Sequence, residues 1–244
     1  MNTNILTPYS TRFGQMAVAR TTAEYHWLSL NILWRRWSSR WRVANGDVTK
    51  RAFDIVASIA FLVVFSPLFL GLALLVKLGS RGPVIFGQTR TGRFGEEFTM
   101  YKFRSMRLSA EAELGTLLAQ NQHADGVTFK MKHDPRITGV GKWLRRFSLD
   151  EQPQFVNVLK GDMSLVGPRP PTAREVALYS PAQRRRLAVK PGLTCFWQVS
   201  GRSDIDFTGQ VKLDVQYIET ACFWLDIKLL LLTVRAVVTG HGAA

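Results

Sequence analysis

From Ile55 to Val76 the chain reads IVASIAFLVVFSPLFLGLALLV, without one charged residue. As a straight helix this run measures about 33 Å, against a hydrocarbon core of about 30 Å. It is apolar on every side, whereas the surface helix of a soluble domain keeps a polar face. Two features argue against a plain span. Lys50 and Arg51 precede the run and Lys77 and Arg81 follow it, so both ends carry the cationic flank of a cytoplasmic boundary. Ser66-Pro67 also falls near the middle, where proline removes a backbone donor and the serine hydroxyl can satisfy a freed carbonyl. A helix kinked there, entering and leaving by one face, accounts for both features. The residues alone leave the re-entrant and spanning forms equally open.

Other apolar patterns are amphipathic. Trp27, Trp34, Trp37 and Trp41 fall on one side of a 3.6-residue helix, with Arg35, Arg36, Arg40 and Arg42 between them. Tryptophan favours the headgroup level and arginine favours anionic lipid, so an interfacial helix is expected there. FWLDIKLLLLTVRAVV, from Phe223 to Val238, is a helix broken by Asp226, Lys228 and Arg235, suited to lying on a bilayer or packing on the domain. Between these, residues 83–106 alternate around a glycine-rich turn at Thr91-Gly92-Arg93-Phe94-Gly95, which predicts a β-hairpin. Lys102 and Arg104, two apart on its second strand, would share a face and are expected, with Arg145 and Arg169, to bind phosphate. Residues 107–132 read as a polar insertion of helix and loop. The organisation expected is an extension over 1–49, a membrane helix over 50–79, and a catalytic domain over 80–244.

Charge narrows the partners. Lys and Arg number 32 against 18 Asp and Glu, a formal net charge of +14, which favours nucleic acid, anionic lipid or a phosphorylated substrate. Two cysteines without CxxC spacing and four scattered histidines argue against a disulfide framework or a zinc site, and fit a reducing compartment. No basic segment followed by an apolar run marks a cleavable signal peptide at the start.

Candidate chemistry concentrates after His133. In FSLDEQPQ, Ser148 has the spacing to cap a helix with Glu151 completing a capping box, and Pro153 falls in the first turn. That account leaves Asp150 over. On a first turn the helix dipole favours its ionised form. With Arg145 and Arg146 nearby to hold phosphate oxygens, an ionised aspartate is a competent nucleophile toward phosphorus. Glu151 could instead help hold Mg²⁺, a cation suited to carboxylate and phosphate oxygens. Arg169, in the GPRP turn at 167–170, adds a further phosphate fork. Spacing alone leaves phosphate transfer as one reading among several. A competing one is a basic, membrane-anchored binding or assembly protein without catalysis; it fits the charge but leaves SLDE and GPRP unexplained, and few aromatics interleave the basic middle as single-strand binding would want.

KRAFDIVASIAFLVVFSPLFL, KFRSM, LRRFSLDEQPQFVNVLKGDMSLVGPRP, KPGLTCFWQVSGR and LDVQYI occur in this order from Lys50 onward. Together they resemble the bacterial sugar transferases, monotopic phosphoglycosyl transferases that attach a first sugar phosphate to a polyprenyl phosphate carrier. The resemblance implies an α+β fold: a re-entrant, Ser-Pro-kinked membrane helix, interfacial amphipathic helices and a small cytoplasmic domain with short strands. It places the protein at the bacterial inner membrane, facing the cytoplasm. It implies a ping-pong reaction in which an aspartate attacks the β-phosphorus of a UDP-sugar, releases UMP, and passes the phosphosugar to undecaprenyl phosphate to begin an exopolysaccharide or related glycan.

Carried over residue by residue, Asp150 is the nucleophile and Glu151 the Mg²⁺ ligand. Arg145 and Arg169 match arginines near phosphate, Gln198 and Arg202 match positions facing the nucleotide sugar, and Lys50, Arg51 and Asp54 match the polar entrance of the re-entrant helix. Asp214 and Tyr217 match a recurrent pair with an open role. GLTCFWQVSGRSD looks like members that use UDP-glucose or UDP-galactose. Anionic membrane lipid is an expected partner, nucleic acid is not, and a homo-oligomer is compatible with this reading. Two departures stand out: Gln152 replaces the family's usual leucine, and the tryptophan-rich segment before Lys50 is lacking in shorter members, which implies a minimal-core enzyme with an interfacial extension.

Overall fold

The computed structural model describes residues 48–118, 121, 127–129, 131, 133–200 and 205–239. The expected tryptophan-rich interfacial helix and Arg202 lie outside these residues. One compact unit runs from Arg51 to Ala244; residues 1–50 form another, of which Val48 to Lys50 are described as a helical first turn.

The uncharged run folds as two helices, α1 (Val48–Val64) and α2 (Ser66–Gly79), bent by 66° at Phe65. Among the described residues no single helix is long and apolar enough to cross a membrane, but this bent pair passes together. The break falls where the Ser-Pro pair predicts it. Pro67 sits in the first turn of α2, where its missing N–H costs least, and the Ser66 hydroxyl donates to the Val63 carbonyl at 2.9 Å. Val56, Val63, Leu70 and Leu78 remain more than 60% exposed, a surface that water does not favour.

One side of α1 is committed to the body of the unit. Arg51 donates to the carbonyls of Val158 and Leu159 at 2.5 and 2.8 Å, Asp54 accepts from the Leu165 amide at 3.2 Å, and Phe61 stacks on Phe155 with centroids 4.1 Å apart. Val158 and Leu159 belong to the last turn of the helix Gln154–Lys160, where helical carbonyls lack partners and a cation is favoured.

The predicted hairpin forms. β1 (Ile85–Thr91) pairs antiparallel with β2 (Glu97–Phe103), Ile85 opposite Phe103 and Thr91 opposite Glu97. After α3 (Ala110–Leu117) come α4 (Gly139–Arg146), a short 3₁₀ turn (Leu149–Glu151) and α5 (Gln154–Lys160). Then follow β3 (Ser164–Val166), α6 (Ala173–Ala177), a 3₁₀ stretch (Gln183–Ala188) and β4 (Gly192–Thr194), parallel to β3. The chain continues through α7 (Phe196–Ser200), α8 (Phe207–Thr220) and α9 (Phe223–Thr239). The fold is mixed helix and short strand, as an α+β reading expects.

Among the described residues three apolar clusters hold it, the smallest joining Val127, Tyr179 and Phe207. Phe155, Val158, Met163, Leu165, Tyr217 and Leu229 bring α5, β3, α8 and α9 together. Leu72, Val76, Phe103 and Leu144 pack α2 against β2 and α4. Gly167 and Gly192 let the turn after β3 approach β4: a Cβ on Gly192 would lie 2.0 Å from the Gly167 nitrogen.

Candidate active site

Asp150 and Glu151 are set by a local irregularity. α4 ends at Arg146, and the chain turns through Ser148 in the left-handed region, φ +52°, before the 3₁₀ turn that carries both carboxylates. A non-glycine residue there costs about 1–2 kcal/mol. This overturns the expected capping box: Ser148 makes no side-chain cap, the segment after it is 3₁₀, and Pro153 immediately precedes α5. Gln152 braces the turn, its amide donating to the Ser148 carbonyl at 3.2 Å.

The Glu151 carboxylate instead accepts from Lys102 of β2 at 2.8 Å, across a sequence separation of 49. Buried Asn157 of α5 fixes that reach. Its side chain takes the Tyr101 amide at 3.0 Å and donates to the Thr99 carbonyl at 2.7 Å, tying α5 to the strand that bears Lys102.

Asp150, Glu151 and Lys102 line one cavity of about 340 Å³ with Arg145, Arg169, Trp197 and Gln198. Asp150 is 6% exposed. Burial pushes its carboxyl above the ordinary 3.8, Lys102 and Arg145 pull against that, and the Glu151 charge adds to the rise. Burial acts on Glu151 too, but the Lys102 ammonium, with Arg169 and Arg145, outweighs it and holds Glu151 below the ordinary 4.5. The pair therefore splits, with Glu151 the lasting anion and Asp150 the carboxyl that yields its charge first. The expectation that the helix dipole keeps Asp150 ionised gives way to burial.

Among the described residues neither Arg145 nor Arg169 forms an ion pair with a carboxylate, so both guanidinium groups remain for an incoming anion. Arg169 is carried by the proline-rich turn, which β1 holds: Arg90 donates to the Pro170 carbonyl at 3.1 Å and the Thr91 amide to Pro171 at 2.8 Å. Gln198, on α7, accepts from the Cys195 thiol at 3.3 Å.

Arg104 departs from the expected phosphate role. β2 ends at Phe103, and the buried Arg104 guanidinium donates to Ser80 O at 2.6 Å and to the Pro83 carbonyl, closing the end of α2. It does not line the cavity, whereas Lys102 does. Lys50, Arg51 and Asp54 lie on α1, with Arg51 and Asp54 gripping α5 and β3, and Ser66 and Pro67 form the bend. Asp214 forms a buried pair with Arg186 at 2.5 Å, and the Tyr217 hydroxyl lies 2.8 Å from Asp226 and 3.1 Å from the Val166 carbonyl. Both fasten α8 to its neighbours.

Sequence reasoning missed Trp197, Gln210, Thr233 and the Asp134–Arg136 ion pair, 2.6 Å long, in the cavity wall. Trp197 stood next to Gln198 within KPGLTCFWQVSGR and was within reach; Thr233, on an apolar helix, carried no signal.

This assembly has relatives. The family described as bacterial sugar transferase matches residues 45–240. The chain is 50% identical over 197 residues to the galactosyl transferase CpsE of Streptococcus agalactiae, covering 80% of this chain and 43% of that one. It is 46% identical to the undecaprenyl-phosphate galactose phosphotransferase of Salmonella typhimurium, covering 80% and 41%. To the exopolysaccharide production protein ExoY of Rhizobium meliloti it is 39% identical, covering 81% and 89%. The chain thus spans less than half of the first two and most of the third. A match over nearly the whole described unit, dyad and basic cavity included, means that this chain belongs to the bacterial sugar transferase family.

Proposed function

We propose that the protein transfers a sugar-1-phosphate from a UDP-sugar to undecaprenyl phosphate through a covalent intermediate on Asp150. One observation carries this reading: a buried aspartate beside Lys102, Arg145 and Arg169 in one cavity, two of those cations without carboxylate partners. A diphosphate entering there meets three positive charges, which withdraw charge from its oxygens as Asp150 approaches phosphorus. An Asp150 carboxylate oxygen bonds to the β-phosphorus, the bond to the bridging oxygen breaks, and UMP leaves with that oxygen. An oxygen of undecaprenyl phosphate then attacks the same phosphorus and the Asp150–phosphorus bond breaks, restoring the carboxylate. The two relatives named for galactosyl and galactose transfer support a hexose donor.

The donor set fits magnesium in this role. Among the described residues no cluster of three acidic, histidine or cysteine side chains could hold a metal alone, and Mg²⁺ commonly takes one or two carboxylates with substrate phosphates completing its shell. Glu151, held ionised, would be that ligand; bound there, the ion would neutralise diphosphate charge.

The reading extends to the membrane. Cationic flanks at both ends of α1–α2, the bend at Phe65 and the exposed apolar side chains support a re-entrant pair that leaves Asp150 on the cytoplasmic side. Residues with a gripped inner face and a bare outer one suit an element partly seated in lipid. Intact-mass analysis of wild type mixed with UDP-glucose or UDP-galactose, without acceptor, tests the chemistry. A phosphohexose adduct with a burst of UMP is expected; Asp150→Asn turning over at the wild-type rate would sink the mechanism.

A further inference from the structure

The adjacent arginines of α4 part company. Arg145 lines the reaction cavity, whereas Arg146 is exposed on another face of the helix, one turn after exposed Lys142. Positions four apart stack on one helical face with Cβ atoms about 5–6 Å apart, so the two cations can share one phosphate group. Trp143, 46% exposed, lies beside them, its ring 5.7 Å from that of Phe147. The Arg146 guanidinium rests over the Phe147 ring at 5.6 Å, which aims it without occupying its N–H donors. Among the described residues no carboxylate pairs with Lys142 or Arg146.

The inner side of α4 fixes where this face lies. Leu144 is fully buried with Leu72 and Val76 of α2, and Val140 packs so closely on the end of α2 that a Cβ on Gly79 would lie 2.7 Å from its Cγ2. With Val140 at Gly79 and Leu144 among Leu72 and Val76, α4 lies along the C-terminal half of α2, and the exposed Lys142–Trp143–Arg146 face turns outward alongside that half, which runs into Lys77, 75%-exposed Leu78 and Arg81, where apolar sequence gives way to charged. With α1–α2 seated in lipid, as proposed above, that is headgroup level, the depth tryptophan prefers.

We infer that Lys142, Trp143 and Arg146 form the landing site for the phosphate head of the polyprenyl acceptor, beside the cavity that takes the donor diphosphate. This rests on the proposed reaction and membrane seating. Charge selects the acceptor over bulk lipid: a phosphate monoester carries about −1.5 to −2 at neutral pH, whereas a phosphodiester headgroup offers one negative charge per phosphate to the same two cations. Position agrees, since Arg146 precedes Asp150 by only four residues. The Lys102, Arg145 and Arg169 charges are engaged by the donor, and a separate cationic step lets the acceptor wait outside until UMP has gone.

Ping-pong chemistry separates the two sites. In Arg146→Glu and in Lys142→Ala/Arg146→Ala, the acceptor-free UMP burst and the adduct on Asp150 should match wild type, while KM for undecaprenyl phosphate rises about 10-fold or more; Arg146→Lys should recover most of the loss. An unchanged acceptor KM overturns the inference. So does a loss confined to binding of phosphatidylglycerol vesicles with acceptor KM unaltered, which would assign the face to bulk lipid. Absence of a burst in wild type would overturn the proposed reaction instead. Binding of a short-chain polyprenyl phosphate in neutral micelles would still test α4, and equal affinity in wild type and Arg146→Glu would refute the landing site.

Discussion

Two stretches of this chain, SLDE at 148–151 and TARE at 172–175, offer the same hydroxyl-x-x-carboxylate spacing and reach opposite ends. At Thr172 the box closes: its hydroxyl accepts the Glu175 amide at 3.2 Å and the Glu175 carboxylate accepts the Thr172 amide at 2.8 Å, starting α6. At Ser148 the backbone is left-handed, no side-chain cap forms, and Glu151 turns to Lys102. The difference lies in what surrounds each glutamate. Helix capping is worth about 1 kcal/mol, and a lysine held by β2 at the wall of a cavity outbids it for Glu151. A carboxylate spared from capping is available for chemistry.

This contrast can be broken stepwise. The largest effect belongs to Asp150, which capping never required: Asp150→Asn should lower UMP release about 10³-fold or more, whereas Glu175→Gln should stay within about twofold of wild type in the same assay, as expected of a residue that caps and does not react. Glu151→Gln should cost about 10²–10³-fold in turnover with little change in unfolding midpoint; a loss of stability with turnover retained would return Glu151 to the role of a cap.

The pH profile sharpens the same point. Because burial raises Asp150 above 3.8, the ionised nucleophile is lost on acidification sooner than for an exposed aspartate. Removing the neighbouring negative charge in Glu151→Gln should move the acid limb of the UMP burst to lower pH. Lys102→Met, which removes a stabilising cation, should move it to higher pH. Opposite or absent shifts would mean that the limb reports another group.

Smaller effects concern the backbone. Thr172→Ala should destabilise the protein by about 1 kcal/mol, while Ser148→Ala should be nearly silent in denaturant unfolding. Ser148→Gly should even stabilise by about 0.5 kcal/mol, since glycine accepts φ +52° without a Cβ clash.

Much of the architecture was legible because its causes are local. The uncharged run, the break at Ser66-Pro67 and the hairpin around Gly92 follow from composition and backbone chemistry within a few residues. Asp150 was legible as the residue that capping left unexplained. Arg104 was not: its spacing from Lys102 is that of a shared strand face, but its guanidinium is held by the carbonyls at the end of α2, more than twenty residues earlier in the chain. Trp197 and Thr233 join the cavity wall only because α7 and α9 pack together there.

The sequence by itself determined the apolar pair, its bend, the hairpin and the motifs that mark the family, since period, proline chemistry and charge act along the chain. Tertiary structure decided which cation meets which carboxylate: Lys102 with Glu151, Arg145 and Arg169 left for a ligand, and Arg146 turned away to the surface. The physical reason is range. A cap or a turn chooses among neighbours a few residues off, but burial and ion pairing depend on distances in space, which exist only once β2, α4, α5 and the proline-rich turn have packed around one cavity.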